Sequence, residues 1–183
     1  MSRRVYTFDA PDRFVTGTVG EPGARTFFLQ AKKGGDVVSV VLEKTQVAVL
    51  AQQLDALLDI LADRGIDSIP AEADPARSDE APLGEPLVEA FRVGAMALAW
   101  DDDLRQVVIE AAAIPEEGEP TPEDTDDEDG PDLVRIRIDG ETARAFVVRA
   151  ARVVAAGRPL CPRCGEPLDP QGHICARPTA YLN

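Results

Sequence analysis

The chain has 183 residues, with 33 acidic against 19 basic side chains, so its formal net charge at pH 7 is −14. This length supports one domain or two small units that share a core, and the 44% of hydrophobic and 28% of charged residues exclude a wholly disordered chain. No run of about 18 apolar residues occurs, and the N-terminus has no apolar stretch of the signal-peptide kind. We therefore expect a cytoplasmic protein without a membrane span.

The negative charge is concentrated in two segments that are rich in proline and poor in large apolar residues. Residues 67–86 carry six acids and one base, residues 115–131 carry nine acids and no base, and the rest of the chain is neutral. Such a composition cannot offset the chain entropy lost on folding, so we predict a linker at 67–86 and a disordered acidic loop at 115–131. An acidic tract that mimics nucleic acid or binds a basic partner is the functional alternative.

Strand patterns fill the first part of the chain. An N-terminal strand is predicted near residues 5–8, and further strands at residues 14–17, 25–31 and 36–43, where β-branched residues line one face.

A helix pattern follows the last of these strands. Its apolar stripe at helical spacing consists of Val47, Leu50, Ala51, Leu54, Leu57, Leu58 and Leu61. Thr45 is the predicted N-cap, and Gly65 stands where a C-terminal residue of positive φ is needed.

The same order of patterns recurs in the second part of the chain. Strands are predicted at residues 91–94, 105–111 and 132–139, with a hairpin turn at residues 101–103. The helical stripe that follows consists of Ala143, Phe146, Val147, Ala150, Val153 and Val154, and Gly157 ends it.

The two parts of the chain resemble each other, as the two copies of an internal repeat do. Residues 36–43 match residues 132–139 at an offset of ninety-six, and residues 25–31 match residues 105–111 at an offset of eighty. The two offsets differ by sixteen, so we assign an insertion of sixteen residues to the acidic loop of the second part. We predict an α+β fold of two pseudo-repeated β-β-β-α units, with a mainly antiparallel sheet and a pseudo-twofold relation between the units.

The predicted organisation has four parts. A first βββα repeat with an additional N-terminal strand covers residues 1–66, and the linker covers residues 67–86. The second repeat, which contains the acidic loop, covers residues 87–157, and a C-terminal zinc knuckle covers residues 158–183.

All three cysteines and the single histidine lie within fifteen residues near the C-terminus. Cys161, Cys164, His173 and Cys175 form the pattern C-x2-C-x8-H-x-C, which supplies the four thiolate and imidazole ligands that tetrahedral zinc prefers. A Cys-Pro-x-Cys-Gly turn directs two sulfurs the same way, and Gly165 permits the positive φ that the turn requires. The pattern predicts a structural zinc ion, because four protein ligands leave no open position for catalysis.

Two other interpretations of the cysteine cluster remain open. A redox pair of Cys161 and Cys164 would leave Cys175 and His173 without a role. A nucleic-acid-binding zinc protein would need several clustered basic residues and aromatic platforms, whereas the tail has one aromatic residue, Tyr181, and nearly balanced charge. We expect neither nucleic-acid nor membrane binding.

No catalytic set stands out in the rest of the chain. The sole histidine is assigned to the metal, which removes the commonest general base. Asp101, Asp103, Arg135 and Arg137 are the residues that an enzyme of phosphate-related chemistry would use. The aspartates fall in a predicted turn, and a solvated turn is the simpler interpretation. Met96 and Trp100 are predicted to belong to the core.

Three segments resemble a known family. Residues 3–14, residues 27–33 and the cysteine tail, residues 161–175, are similar to the uncharacterised actinobacterial family DUF3090, and the resemblance covers essentially the whole chain. It implies an actinobacterial cytoplasmic protein whose gene lies beside those of a histidine-phosphatase-like and a phosphoinositide-kinase-like protein. It implies no catalytic residues.

We therefore predict a non-enzymatic adaptor or regulatory protein with a structural zinc knuckle. Its expected partner is a protein, such as the kinase-like or the phosphatase-like neighbour. An enzyme of phosphate-related chemistry is the first alternative and a nucleic-acid-binding zinc protein the second.

Overall fold

Seven strands and two α-helices form the described part of the chain. The computed structural model describes residues 3–21, 24–116, 118, 130–156, 161–165, 168 and 175. The strands are β1 (Val5–Asp9), β2 (Arg13–Val19), β3 (Thr26–Lys33), β4 (Asp36–Leu42), β5 (Glu89–Asp101), β6 (Gln106–Ala113) and β7 (Leu133–Ile138). The helices are α1 (Lys44–Asp63) and α2 (Gly140–Ala155), and a 3-10 turn, Pro75–Arg77, lies between α1 and β5. The predicted α+β class is confirmed.

All seven strands belong to one mixed sheet. Their order is β1-β7-β6-β5-β4-β3-β2, with antiparallel pairing except between β4 and β5 and between β1 and β7, which are parallel. Strands β5, β6 and β7 follow β2, β3 and β4 along the sheet, and corresponding strands run in the same direction. The pseudo-twofold relation between the two units stays a prediction.

The sheet is curled, because its two edge strands are neighbours in sequence. The edges of a flat seven-stranded sheet lie about 29 Å apart, whereas the four peptide links from Asp9 to Arg13 span at most about 14 Å. Two contacts tie the joined edges to the β3–β4 hairpin. Lys33 Nζ donates to the carbonyl oxygen of Asp9, and the amide of Gly34 donates to Asp12 Oδ2 over 2.7 Å.

The long strand β5 connects the two halves of the sheet. Its first residues pair with β4, where Glu89 lies opposite Ser39, and the rest of the strand pairs with β6. The register shifts between Val93 and Ala95, as at a β-bulge, which bends a strand and increases its twist. The bulge lets one strand serve both halves of the curled sheet.

Both helices pack on the same face of the sheet and contact each other. Leu54 and Leu58 of α1 are fully buried, and Phe146 of α2 stacks on Phe14 of β2 with ring centroids 4.5 Å apart. The core residues that the strands contribute include Leu29, Val40, Leu42, Val107, Ile109, Ala111, Val134, Ile136 and Ile138. The apolar stripes predicted for both helices thus face one shared core. The alternating apolar residues of β4 and β7 face the same core. None of the helices in the described ranges is long and apolar enough to cross a bilayer.

The N-cap of the first helix is Glu43, two residues before the predicted N-cap. The amide of Glu43 donates to Gln46 Oε1 over 2.7 Å, and α1 starts at Lys44. Gln46 also donates to the carbonyl oxygen of Val93, so its side chain joins the helix start to β5. The prediction of Thr45 as the N-cap is wrong, because the glutamine amide satisfies the free backbone donor instead.

The first helix ends at a glycine, as predicted. Gly65 has φ +78°, a conformation that glycine adopts without strain. Its amide donates to Ala62 and the amide of Ile66 donates to Leu61, the two hydrogen bonds that close a helix C-terminus in the Schellman arrangement. Gly157, the predicted end of the second helix, lies outside the described residues.

We call residues 67–86, which join α1 to β5, the strap. Ile69 of the strap is buried against the start of α2, where a Cβ atom on Gly140 would lie 2.7 Å from Ile69 Cδ1. Glycine at position 140 therefore allows the strap to approach the helix. The strap connects the two halves of the chain, as a linker does, and it also packs on them.

One buried arginine joins the strap to both helices. Arg144 of α2 is 5% exposed and donates to Asp55 and Asp59 of α1, each over 2.6 Å, and to the carbonyl oxygen of Pro70 over 3.0 Å. Since burial of an arginine costs free energy unless it is paired, these contacts fix the packing of α1, α2 and the strap.

A carboxylate of the strap lies between two further arginines. Asp79 accepts hydrogen bonds from Arg13 Nε over 2.6 Å and Arg13 Nη2 over 2.9 Å, and from Arg149 Nη1 over 3.0 Å. The hydrogen bonds from Arg13, together with the charges of both arginines, hold the pKa of Asp79 below its ordinary value. The folded state therefore favours the charged carboxylate.

We expect Asp79→Asn to lower the free energy of unfolding by about 1–2 kcal/mol at pH 7, because charged hydrogen bonds to the two arginines are lost. The folded-state pKa lies below the unfolded-state value of about 3.9, so this contribution is complete above about pH 5 and disappears as the pH falls through the folded-state pKa. Denaturant unfolding at pH 7 and at pH 3 measures it.

The neighbouring residue supplies the control for this prediction. Glu80 pairs with Arg152, and both side chains are at least half exposed, so Glu80→Gln is expected to change stability by less than about 0.5 kcal/mol. An Asp79→Asn effect of equal size at pH 3 and pH 7 would contradict the assignment.

Candidate metal centre

The three cysteines come together in space at the C-terminal end of the described chain. Their sulfur atoms all lie within 4.8 Å of one another, and the sulfurs of Cys161 and Cys175 are 4.0 Å apart. Zinc binds thiolates at about 2.3 Å, which places two sulfurs of a tetrahedral site about 3.8 Å apart. The three sulfurs are thus close enough to bind one metal ion.

A tight turn holds the first two cysteines. The amide of Gly165 donates to the carbonyl oxygen of Cys161 over 2.9 Å, and Gly165 has φ +76°. The predicted need for positive φ at this glycine is confirmed. Because glycine accepts this conformation without strain, the chain folds back after Cys164.

The same turn favours the thiolate form of Cys161. Backbone N–H groups of Cys164 and then of Arg163 donate to its sulfur, and these donors lower the pKa of the thiol from 9.0 to about 6 although burial opposes them. Since metals bind the thiolate, the local backbone prepares this sulfur as a ligand at neutral pH.

The donor chemistry of the cluster suits a borderline or soft metal ion. Thiolates favour zinc and similar ions, whereas magnesium and calcium prefer oxygen ligands. Cys161 is buried and the other two cysteines are half-buried. His173, the predicted fourth ligand, lies outside the described residues.

The predicted alternative site lies elsewhere, at the turn between β5 and β6. Asp101 Oδ1 accepts from the amide of Leu104 over 2.9 Å, and Asp102 Oδ1 accepts from Trp100 Nε1 over 2.7 Å. These two carboxylates therefore take part in the local structure of the turn, as was expected for this segment.

The arginines of that alternative have carboxylate partners on neighbouring strands. Arg135 pairs with Glu110 of β6, and Arg137 Nη1 donates to Asp9 Oδ1 of β1 over 2.7 Å. Among the described residues, no ion pair joins either arginine to the aspartates of the β5–β6 turn.

An apolar groove that the sequence patterns did not indicate lies between α1 and β5. Met96 and Trp100, which were predicted to belong to the core, pack against it and are partly buried. The groove has a volume of about 650 Å³, and its lining includes Val49, Leu50, Leu57, Ile60, Met96 and Leu98. Strand alternation places Met96 and Leu98 on the helix-facing side of β5, but it does not indicate how far the helix covers them.

The fold and the cysteine cluster define a mixed α+β protein with a compact group of three thiols after its last helix. The chain belongs to the family described as a protein of unknown function, DUF3090, whose model matches residues 6–175. Neither the curated proteins nor the solved structures yielded a match to this chain.

Proposed function

We propose that this chain is a non-enzymatic adaptor or regulatory protein whose C-terminal knuckle is stabilised by one zinc ion. The observation that carries the proposal is the approach of three cysteine sulfurs to within 4.8 Å of one another. The ligands are Cys161, Cys164, His173 and Cys175.

The role of this zinc ion is structural. Three thiolates and one imidazole complete a tetrahedral shell, whereas catalytic zinc keeps one position for water or substrate. A small knuckle of this kind obtains its folding free energy from the metal and then presents a defined surface. The contacts of the Asp101 turn, of Arg135 and of Arg137 support the choice of a binding protein, because each of these groups serves a local pair or turn.

The body of the protein consists of two pseudo-repeated β-β-β-α units. Support comes from the element order, in which three antiparallel strands precede a helix twice, and from the shared direction of the corresponding strands. The acidic insertion separates β6 from β7 in the second unit, where the first unit has a short turn. In an adaptor, such a double unit offers two similar surfaces around one core.

Co-expression with the kinase-like and phosphatase-like neighbours, followed by size-exclusion chromatography, tests the adaptor function. We expect a stoichiometric complex with one of them that survives at 0.15 M salt. The variant Arg163→Ala removes one side chain from the surface of the knuckle and keeps all four proposed zinc ligands. It therefore serves as a folded control. Elution of this chain alone in the presence of both proteins would contradict the adaptor function.

A further inference from the structure

The last part of the strap lies on the sheet face that the helices do not cover. Gly17 of β2, Gln30 of β3 and Ser39 of β4 share this face, since they alternate along their strands with core residues. The strap segment that contacts them, residues 78–86, is bound through three distinct kinds of contact.

Two arginines bind the acidic end of this segment. Arg13 and Arg149 both pair with the carboxylate of Asp79, and both also donate to the carbonyl oxygen of Ala81, over 2.9 and 2.8 Å. The two arginine side chains are only 20% and 11% exposed. Largely buried guanidinium groups of this kind need a carboxylate, because leaving them unpaired costs free energy.

Gly17, which has no side chain, leaves room for Leu83 of the segment. A Cβ atom on Gly17 would lie 2.8 Å from Leu83 Cγ and 3.0 Å from Leu83 Cδ2. The glycine thus leaves a socket in β2 that the leucine side chain fills. Alanine at position 17 would displace the leucine.

A buried glutamine binds the backbone next to that leucine. Gln30 Nε2 donates to the carbonyl oxygen of Gly84 over 3.0 Å, and the amide of Gly84 donates to Gln30 Oε1 over 2.7 Å. Ser39 fixes the glutamine, whose Nε2 donates to Ser39 Oγ over 2.9 Å, and both side chains are 2% exposed. A side-chain amide that pairs with both backbone groups of one residue binds an extended peptide through its backbone. Glycine suits this position, because a Cβ atom on Gly84 would lie 3.2 Å from Gln30 Oε1.

Apart from these contacts, the segment is open to solvent. Ser78, Glu80, Ala81, Pro82 and Glu85 are all exposed. Segments with few buried apolar contacts open at a small fraction of the global unfolding free energy. We therefore expect the segment to leave the face more often than the protein unfolds, which would leave the arginine pair, the Gly17 socket and Gln30 free to bind another partner.

We propose that this face is a peptide-recognition site, occupied in the isolated chain by its own residues 78–86. The partner segment that it fits is an extended peptide with an acidic residue and, four positions later, leucine followed by glycine. Such a segment of a partner protein competes with the strap. This inference rests on the proposed adaptor function, for which it supplies a docking surface.

The test uses a synthetic peptide of residues 78–86 and the full chain carrying Leu83→Ala, which empties the socket and keeps both arginine pairs. Fluorescence anisotropy is expected to show binding to this variant at least about tenfold tighter than to the wild-type chain, where the intact strap competes. A peptide with asparagine in place of Asp79 is expected to bind at least about tenfold more weakly. A peptide with glutamine in place of Glu80 is expected to bind unchanged, since that side chain contacts only the exposed Arg152.

The double variant Gly17→Ala with Leu83→Ala is the matched control, because the added methyl group fills the socket and is expected to abolish peptide binding. Equal affinity of all peptides, or no binding to the Leu83→Ala variant, would overturn the proposal.

Hydrogen exchange on the wild-type chain provides a second measurement that does not depend on any variant. The amide of Gly84 is expected to exchange at least about 100-fold faster than core sheet amides, and exchange at the core rate would also overturn it. Zinc content and the complex with a neighbour protein are measured separately, so failure of this proposal leaves the proposed function standing.

Discussion

Replacing Cys161 with serine is expected to weaken zinc binding at least about 100-fold and to leave the seven-stranded body folded. A hydroxyl group replaces a thiolate whose pKa the local backbone already holds near 6. Zinc sites in small knuckles contribute about 10–16 kcal/mol over four ligands, so one ligand accounts for about 3 kcal/mol, or more than 100-fold in affinity. Competition with a chromophoric chelator measures the affinity.

The control for this prediction comes from the same turn. Arg163 lies between the first two cysteines and its side chain is exposed, so Arg163→Ala is expected to keep the affinity within about threefold. Circular dichroism reports whether the body of the protein survives in both variants. Unchanged zinc affinity in Cys161→Ser would contradict the proposed ligand set.

Replacing Phe146 with alanine is expected to lower the free energy of unfolding by about 3–5 kcal/mol. The side chain is 2% exposed, stacks on Phe14, and joins α2 to the edge strand β2. Its removal loses both the buried apolar area and the ring contact, and it leaves a cavity that a curled sheet and two helices cannot readily close. Denaturant unfolding, followed by far-UV circular dichroism, measures the change.

An exposed residue of the same helix provides the comparison. Val148 of α2 is 38% exposed, so Val148→Ala is expected to change stability by less than about 0.5 kcal/mol. A loss below 1 kcal/mol for Phe146→Ala would mean that the contact between Phe146 and Phe14 does not hold α2 on the edge strand β2.

Local sequence patterns predicted the elements well because their causes are local. The stripe that contains Leu54 and Leu58 defines a helix by its spacing alone, and Gly65 marks the helix end because few other residues accept its conformation. The turn that joins Cys161 to Cys164 was predictable for the same reason, since it spans only a few residues.

Features that depend on distant pairing were not predictable in this way. Strand β1 pairs with β7, where Val5 lies opposite Leu133, and nothing within either strand encodes that choice. The order in which the two groups of three strands follow each other along the sheet has the same origin, because two similar units can be arranged in several ways around one core. The strap was predicted from composition alone as a linker, and its ion pairs join Asp79 to arginines 66 and 70 positions away.

X-ray absorption at the zinc edge, combined with metal analysis of the purified full chain, tests the central claim most directly. We predict one zinc ion per chain, with three sulfur ligands at about 2.3 Å and one nitrogen ligand at about 2.0 Å. Absence of zinc after purification in metal-replete medium, or a shell made only of oxygen and nitrogen ligands, would contradict the account.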